Sequence, residues 1–380
     1  MTNDEQGKSE GKKKKGQGFF FVDRNQWPKV CALGINPAVA YLVMCCGTNG
    51  KNHSTTKWSA TAVRKYSRLP FHPASKAIKQ LIDAKLITQT VAGKKPKYQV
   101  ELSKEPSWIY LPNTIVTGIS KRTPPPIQQI LGTNNPRTLQ LFIDMYYWHD
   151  LDGTGGLPLA AVYSEHLQVE GEDGCDYGAY KVLPFSKDRE TNTAMGEFAA
   201  PYLDNRLKDP FEPFWESFNT IRSLGLIEWI PHLFTAKDGI VIHPCGTGGE
   251  ESANIEDQIG YAARQAALAM IAAVRARTIE KSEREEEEDE DGEPREFSEG
   301  YDDIYSLDAD YSEYLLVPVP RHLATAEMIS IARLVYRPHT KKTGKWYGEL
   351  QESGKELVTK YQVLYREALP SEPLARTGSY

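Results

Sequence analysis

The sequence predicts an α+β protein, mainly α, and three observations carry that prediction. Trp58 to Leu102 parses as helix, turn, helix and hairpin, and a helix-into-strand ending of the same kind returns at Phe214 to Ile230. The last third adds an alanine-rich helix and a closing amphipathic one. With 380 residues, 40% hydrophobic and 25% charged, the chain is long enough for two or three domains with cores of their own.

Taken in order, residues 1–18 read as a disordered basic arm. Lys12, Lys13, Lys14 and Lys15 cluster there between glycines, suited either to following a phosphate backbone or to a solvated tail. Phe19 to Val22 predict a short strand. Asn36 and Pro37 signal a helix start, with Ala38, Tyr41, Leu42 and Cys45 on its apolar face. A polar link, Gly47 to Thr56, leads to a helix capped by Ser59 and running to Tyr66. Pro70 forces a turn over Ser67 to Phe71.

The next helix spans about Pro73 to Lys85. At about 100° per residue, Ala74, Ala77, Ile78, Leu81 and Ile82 gather on one side. His72, Lys76, Lys79, Gln80 and Asp83 project from the other, with Ser75 at the border. Leu86 to Val91 and Lys97 to Leu102 alternate as two strands, joined by Ala92, Gly93, Lys94, Lys95 and Pro96.

This order of elements, the Leu81-x-x-x-Lys85-Leu86-Ile87 helix ending and the Lys94-Lys95-Pro96-Lys97 tip resemble the winged-helix class of DNA-binding domains over residues 36–102. The resemblance implies that the helix from Pro73 enters the major groove, with His72, Ser75, Lys76, Lys79 and Gln80 nearest the DNA. Gln80 would read an adenine edge, and Lys76 or Lys79 a guanine or a phosphate. Lys94, Lys95 and Lys97 would hold the backbone from the wing, and Arg64, Lys65 and Arg68 from the first helix and turn. Winged helices also serve as protein-binding or structural modules, in which case the basic face is only solvated. Charge favours a polyanion. Residues 1–104 hold 19 Lys and Arg against 6 Asp and Glu, a net of +13, while the remainder is −19 and the whole chain −6.

Beyond this domain (19–104), residues 105–126 read as a linker in which Ser107 to Ile119 packs on the first domain and Pro124, Pro125 and Pro126 lead out. Residues 127–250 read as a second, divergent winged helix. Asn135 and Pro136 open a helix through Trp148, and Ile221, Gly225, Leu226 and Ile227 stand where Leu81, Lys85, Leu86 and Ile87 stood. His232 to Gly239 would be its wing, Ile240 to His243 its last strand, and about 168–210 an insertion. Its helix carries Glu212, Phe214, Trp215, Glu216 and Phe218 with Arg222 the only base; carboxylates repel phosphates, so it is expected in an interface or on a protein partner.

The expected architecture is thus two tandem winged-helix domains and a helical C-terminal region, a layout that resembles plasmid and phage replication initiators and some transcriptional regulators. In that region, 251–278 is the alanine-rich helix, with Ile259, Ala263, Ala266, Met270 and Val274 docking on its own chain or pairing two subunits. Residues 279–303 are an acidic, disordered linker. Residues 304–380 hold the strands EYLLVPVP and MISIARLVY, a basic loop from Arg337 to Lys345 beside Trp346 and Tyr347, and a helix over 346–367. Leu350, Leu357, Tyr361, Leu364 and Tyr365 give that helix an apolar face, a second candidate homodimer surface.

Catalytic motifs are missing from the sequence. Cys245-Gly-Thr-Gly-Gly lacks the GK[ST] ending of a phosphate loop. A calcium-loop pattern from Asp150 has Ala161 where a bidentate Glu belongs. His243-x-Cys245 offers two metal ligands without a second pair. Five cysteines, Cys31, Cys45, Cys46, Cys175 and Cys245, show no CxxC spacing and fit a reduced compartment. With no apolar signal region and no run long enough for a membrane span, a cytoplasmic protein is expected. The function expected is non-enzymatic, cofactor-free binding of double-stranded DNA, as a transcriptional regulator or replication-initiator-like protein of a bacterium or mobile element. The competing class is a non-catalytic assembly protein, or an accessory subunit of a nucleic-acid-processing or defence complex.

Overall fold

A stretch with no charged side chain, Ile35–Cys46, forms a helix in which every residue from Pro37 to Cys45 is buried. Ala38, Tyr41, Leu42 and Cys45 are enclosed as the sequence predicts, but so are Val39, Ala40, Val43 and Met44. A helix apolar all round has to be surrounded by other elements.

The computed structural model describes residues 18–48, 52–120, 122–150, 153–169, 174–235, 239–249, 251–289, 310–338 and 340–369. The lysine arm Lys12 to Lys15 lies outside the described residues. The structure contains both helix and strand, with helix predominating, and divides into two compact units, one of residues 1–147, 215–226 and 336–340, the other of 148–214, 227–335 and 341–380.

In the first unit the order is β1 (Phe19–Asp23), α1 (Trp27–Ala32), α2 (Ile35–Cys46), β2 (Thr55–Thr56), α3 (Ala60–Ser67), α4 (Phe71–Asp83), β3 (Ile87–Val91), β4 (Lys97–Val100), β5 (Trp108–Pro112), α5 (Thr114–Thr117), α6 (Pro126–Gly132) and α7 (Pro136–Trp148). α1, α3, α4, α5, α6 and β1 all pack on α2. Two small antiparallel sheets complete it, β1 with β5 and the set β2-β4-β3.

The expected linker 105–126 belongs to this unit. β5 pairs every residue of β1, from Phe19↔Pro112 to Asp23↔Trp108. Pro125 caps α6 and Pro126 opens it. A proline run marks a helix start as readily as a linker, because proline's fixed φ suits the first turn, where no amide hydrogen is needed. Asn135 caps α7 as its sequence suggests, its Oδ1 accepting from the Arg137 amide at 2.9 Å. Asn36 does not cap α2; Gly34 (φ +105) precedes the helix instead.

Two helix ends are built alike. After α4, Lys85 adopts a left-handed conformation (φ +57), and the Leu86 amide donates to the Leu81 carbonyl at 2.9 Å. After α9 (Glu212–Ser223), Gly225 does the same (φ +66), with the Leu226 amide on the Ile221 carbonyl at 3.2 Å. Both are Schellman ends, so the likeness between the two sequence stretches is a real likeness of local geometry.

It does not extend to a second winged helix. In the second unit β6 (Val162–Gln168), β7 (Asp176–Tyr177), β8 (Tyr180–Ala194), β9 (Ile227–Phe234), β10 (Val241–Pro244), β11 (Tyr314–Pro320) and β12 (Glu327–Leu334) form one antiparallel sheet in the order β10-β9-β12-β6-β8-β11, with β7 also on β8. The expected insertion 168–210 supplies β7, the fifteen-residue β8 and the short helix α8 (Gly196–Ala199). The expected wing begins as strand, since β9 runs through His232 to Phe234. β9 has β10 along one edge and β12 along the other. β9 and β10 are thus strands of a seven-stranded sheet rather than a small hairpin beside a helix pair, and the tandem winged-helix layout does not hold for this unit.

The sheet is covered by α10 (Ile255–Asp289) and α11 (Lys341–Ala368), which pack on each other. Ile259, Ala263, Ala266 and Met270 share one core with Val182, Val317, Met328, Tyr361 and Leu364. The apolar faces of both helices are thus used within the chain. Phe234, Ile329 and Ile331 form a smaller cluster with Leu159 and Tyr163. α10 continues to Asp289, so the first part of the expected disordered run is helical, as glutamate's helix propensity allows; the rest of that run lies outside the described residues. The basic loop before Trp346 is shorter than expected, because α11 begins at Lys341.

Arg333 on β12 and Glu256 in the first turn of α10 form an ion pair with both side chains almost wholly buried. The guanidinium also donates to the Thr154 carbonyl at 2.7 Å and lies 5.2 Å from the Trp346 ring centroid. Trp346 in turn donates from Nε1 to the Gly153 carbonyl at 3.0 Å. The calcium-like loop therefore serves as a seat for this group.

Removing one partner leaves a buried charge, so Glu256→Gln is expected to destabilise the chain by about 3–5 kcal/mol, and Glu256→Gln with Arg333→Met by clearly less; denaturant titration of both variants checks the order. At the helix ends, Gly225→Ala is expected to cost about 1 kcal/mol and Lys85→Gly to be neutral or stabilising by a similar amount, read as shifts in the unfolding midpoint.

Candidate nucleic-acid interface

α3 and α4 pack on each other and are joined by a short turn. Ser67 Oγ donates to the Val63 carbonyl at 2.7 Å and accepts from the Leu69 amide at 3.2 Å, Arg68 is left-handed (φ +64), and Pro70 caps α4. Ser59 occupies the cap position of α3, but its side chain makes no cap bond; its carbonyl accepts from Ala62 and Val63. The approach to the helix is held instead by Trp58 stacked on Tyr66, with ring centroids 4.6 Å apart.

α4 begins at Phe71, two residues before the expected start. Pro73 sits in the first turn, where its missing amide hydrogen costs nothing. Ala74, Ala77, Ile78 and Leu81 are buried as expected, and Ile82 is half-buried. Of the residues assigned to DNA, His72, Lys76 and Lys79 are exposed, and Ser75 and Gln80 half-buried. Arg64, Lys65 and Arg68 are exposed around α3 and the turn, with the Lys65 ammonium over the Tyr66 ring at 4.9 Å.

At the hairpin tip Gly93 (φ +102) makes the reversal, and Lys94, Lys95 and Lys97 are exposed. Strand β2 pairs with β4 and makes the hairpin three-stranded. Between residues 59 and 100 nine lysines and arginines face a single carboxylate, Asp83.

Two features are not visible in the sequence. Phe71 stands 54% exposed at the start of α4, at a position the sequence assigns to the turn. The β1–β5 ribbon carries an outward row of aromatic rings. In α9, by contrast, Phe214 and Phe218 are buried, so its apolar side is not open to a partner; Glu212, Glu216 and Arg222 are exposed.

The remaining chemical candidates are satisfied internally. His243 accepts at Nε2 from the Tyr361 hydroxyl at 2.6 Å, while Nδ1 donates to the Pro244 carbonyl at 2.9 Å. Both ring nitrogens are therefore engaged. In the glycine loop after Cys245, the Gly248 amide and the Ser252 hydroxyl donate to the Asp257 carboxylate at 3.0 and 2.8 Å. The loop thus turns donors toward an anion that the chain itself supplies. Among the described residues no group of three His, Cys, Asp or Glu is placed to hold a metal, and no helix is long and apolar enough to cross a membrane. No protein-family model, curated protein or solved structure matches the chain, so function has to be argued from geometry.

Burial lowers His243 from 6.5 to about 4; burial, with Arg333 adding to it, lowers His232 from 6.5 to about 3. Both rings are neutral in the fold at pH values where they are protonated once unfolded. The unfolded chain binds more protons there, and stability falls as pH drops from about 6.5 toward 4. For His243 alone this amounts to about 3 kcal/mol. Melting temperatures are expected to fall over that window, and the gap between wild type and His243→Gln to narrow as pH falls; a constant gap contradicts the assignment.

Proposed function

We propose that residues 19–104 bind double-stranded DNA as a winged-helix domain, α4 lying in the major groove, β3 and β4 forming the wing. The supporting observation is the division of labour on α4: its apolar side is consumed in the core around α2, while Lys76 and Lys79 stand exposed beside an exposed, lysine-tipped hairpin. Phe71, exposed at the N-terminal end of α4, would supply apolar contact with a thymine methyl in that docking. The chain is then a non-enzymatic DNA-binding protein, as a transcriptional regulator or a replication-initiator-like protein. The assembly reading has less support, since the aromatic side of α9 and the apolar faces of α10 and α11 are taken up within the chain.

The test is binding of random and genomic duplexes at two salt concentrations. Wild-type affinity is expected to fall steeply with salt. Lys76→Ala/Lys79→Ala should weaken binding at least about tenfold and flatten the salt slope by about one unit for each phosphate left without its lysine. Absence of duplex binding at low salt overturns the reading.

A further inference from the structure

The ribbon of β1 and β5 has two unlike faces. Phe20, Val22, Ile109 and Leu111 are buried inward. Phe19, Phe21, Trp108 and Tyr110 alternate with them and so point outward. Phe21 lies opposite Tyr110 in the register, their ring centroids 4.8 Å apart, and 5.7 Å from Trp108. Phe19 is 5.5 Å from Phe21 and 6.2 Å from Tyr110. His53, from the loop before β2, adds a fifth ring at 4.1 Å from Phe21. Tyr110 is 50% exposed, and the other rings are partly exposed. Cross-strand aromatic pairs stabilise a ribbon, but leaving large rings at the surface forgoes the burial that usually justifies them.

The charge around this face fits an anionic polymer. The segments 18–22, 52–57 and 107–112 contain no carboxylate. Asp23, at the end of β1, is buried, with its two oxygens accepting from the Asn25 amide at 3.0 Å and the Ser103 amide at 2.7 Å. Lys57, one residue past β2, is exposed.

We propose that this aromatic face binds single-stranded nucleic acid, its bases stacking on Tyr110, Trp108, Phe21 and Phe19, with Lys57 available to the phosphates. Rings side by side on a strand pair give successive bases a π surface without demanding a sequence, as stacking platforms for single strands do. The site is separate from α4, so it stands or falls independently of the duplex reading.

The full chain is titrated against fluorescent dT12 and U12 oligonucleotides at two salt concentrations, which also tells DNA from RNA. At least one is expected to bind. Tyr110→Ala should weaken it about tenfold or more, the scale of a single base stack, and Tyr110→Phe by no more than about twofold. Lys76→Ala/Lys79→Ala should leave single-strand binding in place. Because Trp108 and Phe21 also hold the ribbon together, they are tested in the wild type: a 5-bromodeoxyuridine-substituted dT12 should photocross-link to Trp108, Tyr110 or Phe21. The proposal is overturned if neither oligonucleotide binds at low salt, or if Tyr110→Ala is silent and cross-links map elsewhere. It is equally overturned if neither oligonucleotide binds and Tyr110→Ala instead dissolves a dimer, which would make the face a contact between copies of the chain.

Discussion

The complete burial of α2 sets the terms for the first unit. With Val39, Tyr41, Leu42, Val43 and Met44 all at 0% exposure, this helix has no side left to face water, and each neighbour must spend its own apolar side on it. α4 does so with Ala74, Ala77, Ile78 and Leu81, and β1 packs on α2 as well. What remains outside is whatever those elements did not use inward: on α4 a basic row, on the ribbon an aromatic one. Both proposed binding faces are in this sense the outer sides of one core, and their positions are fixed by packing rather than by flexible loops.

Much of the local structure was legible. The 3.6-residue rhythm of Ala74, Ala77, Ile78 and Leu81 identified α4 and its exposed cations, since a helix face is a property of sequence alone. The paired endings at Lys85 and Gly225 were legible for the same reason, because a Schellman end is closed by bonds within six residues. The inference that failed was the step from a shared ending to a shared domain. A helix end carries no information about which distant strand will pair with the one that follows. For β9 that partner is β12, about a hundred residues further on.

The aromatic ribbon was hidden by its own composition. Phe19, Phe20 and Phe21 are the same residue, so the alternation of inward and outward positions leaves no trace in the sequence. It appears only once β5, some ninety residues away, fixes which side of β1 faces the core. The early start of α4 was missed for a simpler reason: a proline at Pro73 reads as the first helical position, although any position in the first turn tolerates it equally.

The placement of β12 has a consequence for how the second unit comes into being. It is the last strand of its sheet to leave the ribosome, yet it lies in the middle, between β9 and β6. Until Glu327–Leu334 has been made, β10-β9 and β6-β8-β11 are two separate pieces, each with an unpaired, largely apolar edge. Nascent chains and C-terminal truncations alike pass through or stop at that split state, in which edge-to-edge association between molecules competes with folding. β12 is the keystone of the sheet. Fragments of the second unit that lack it are open to aggregation however intact their other strands are.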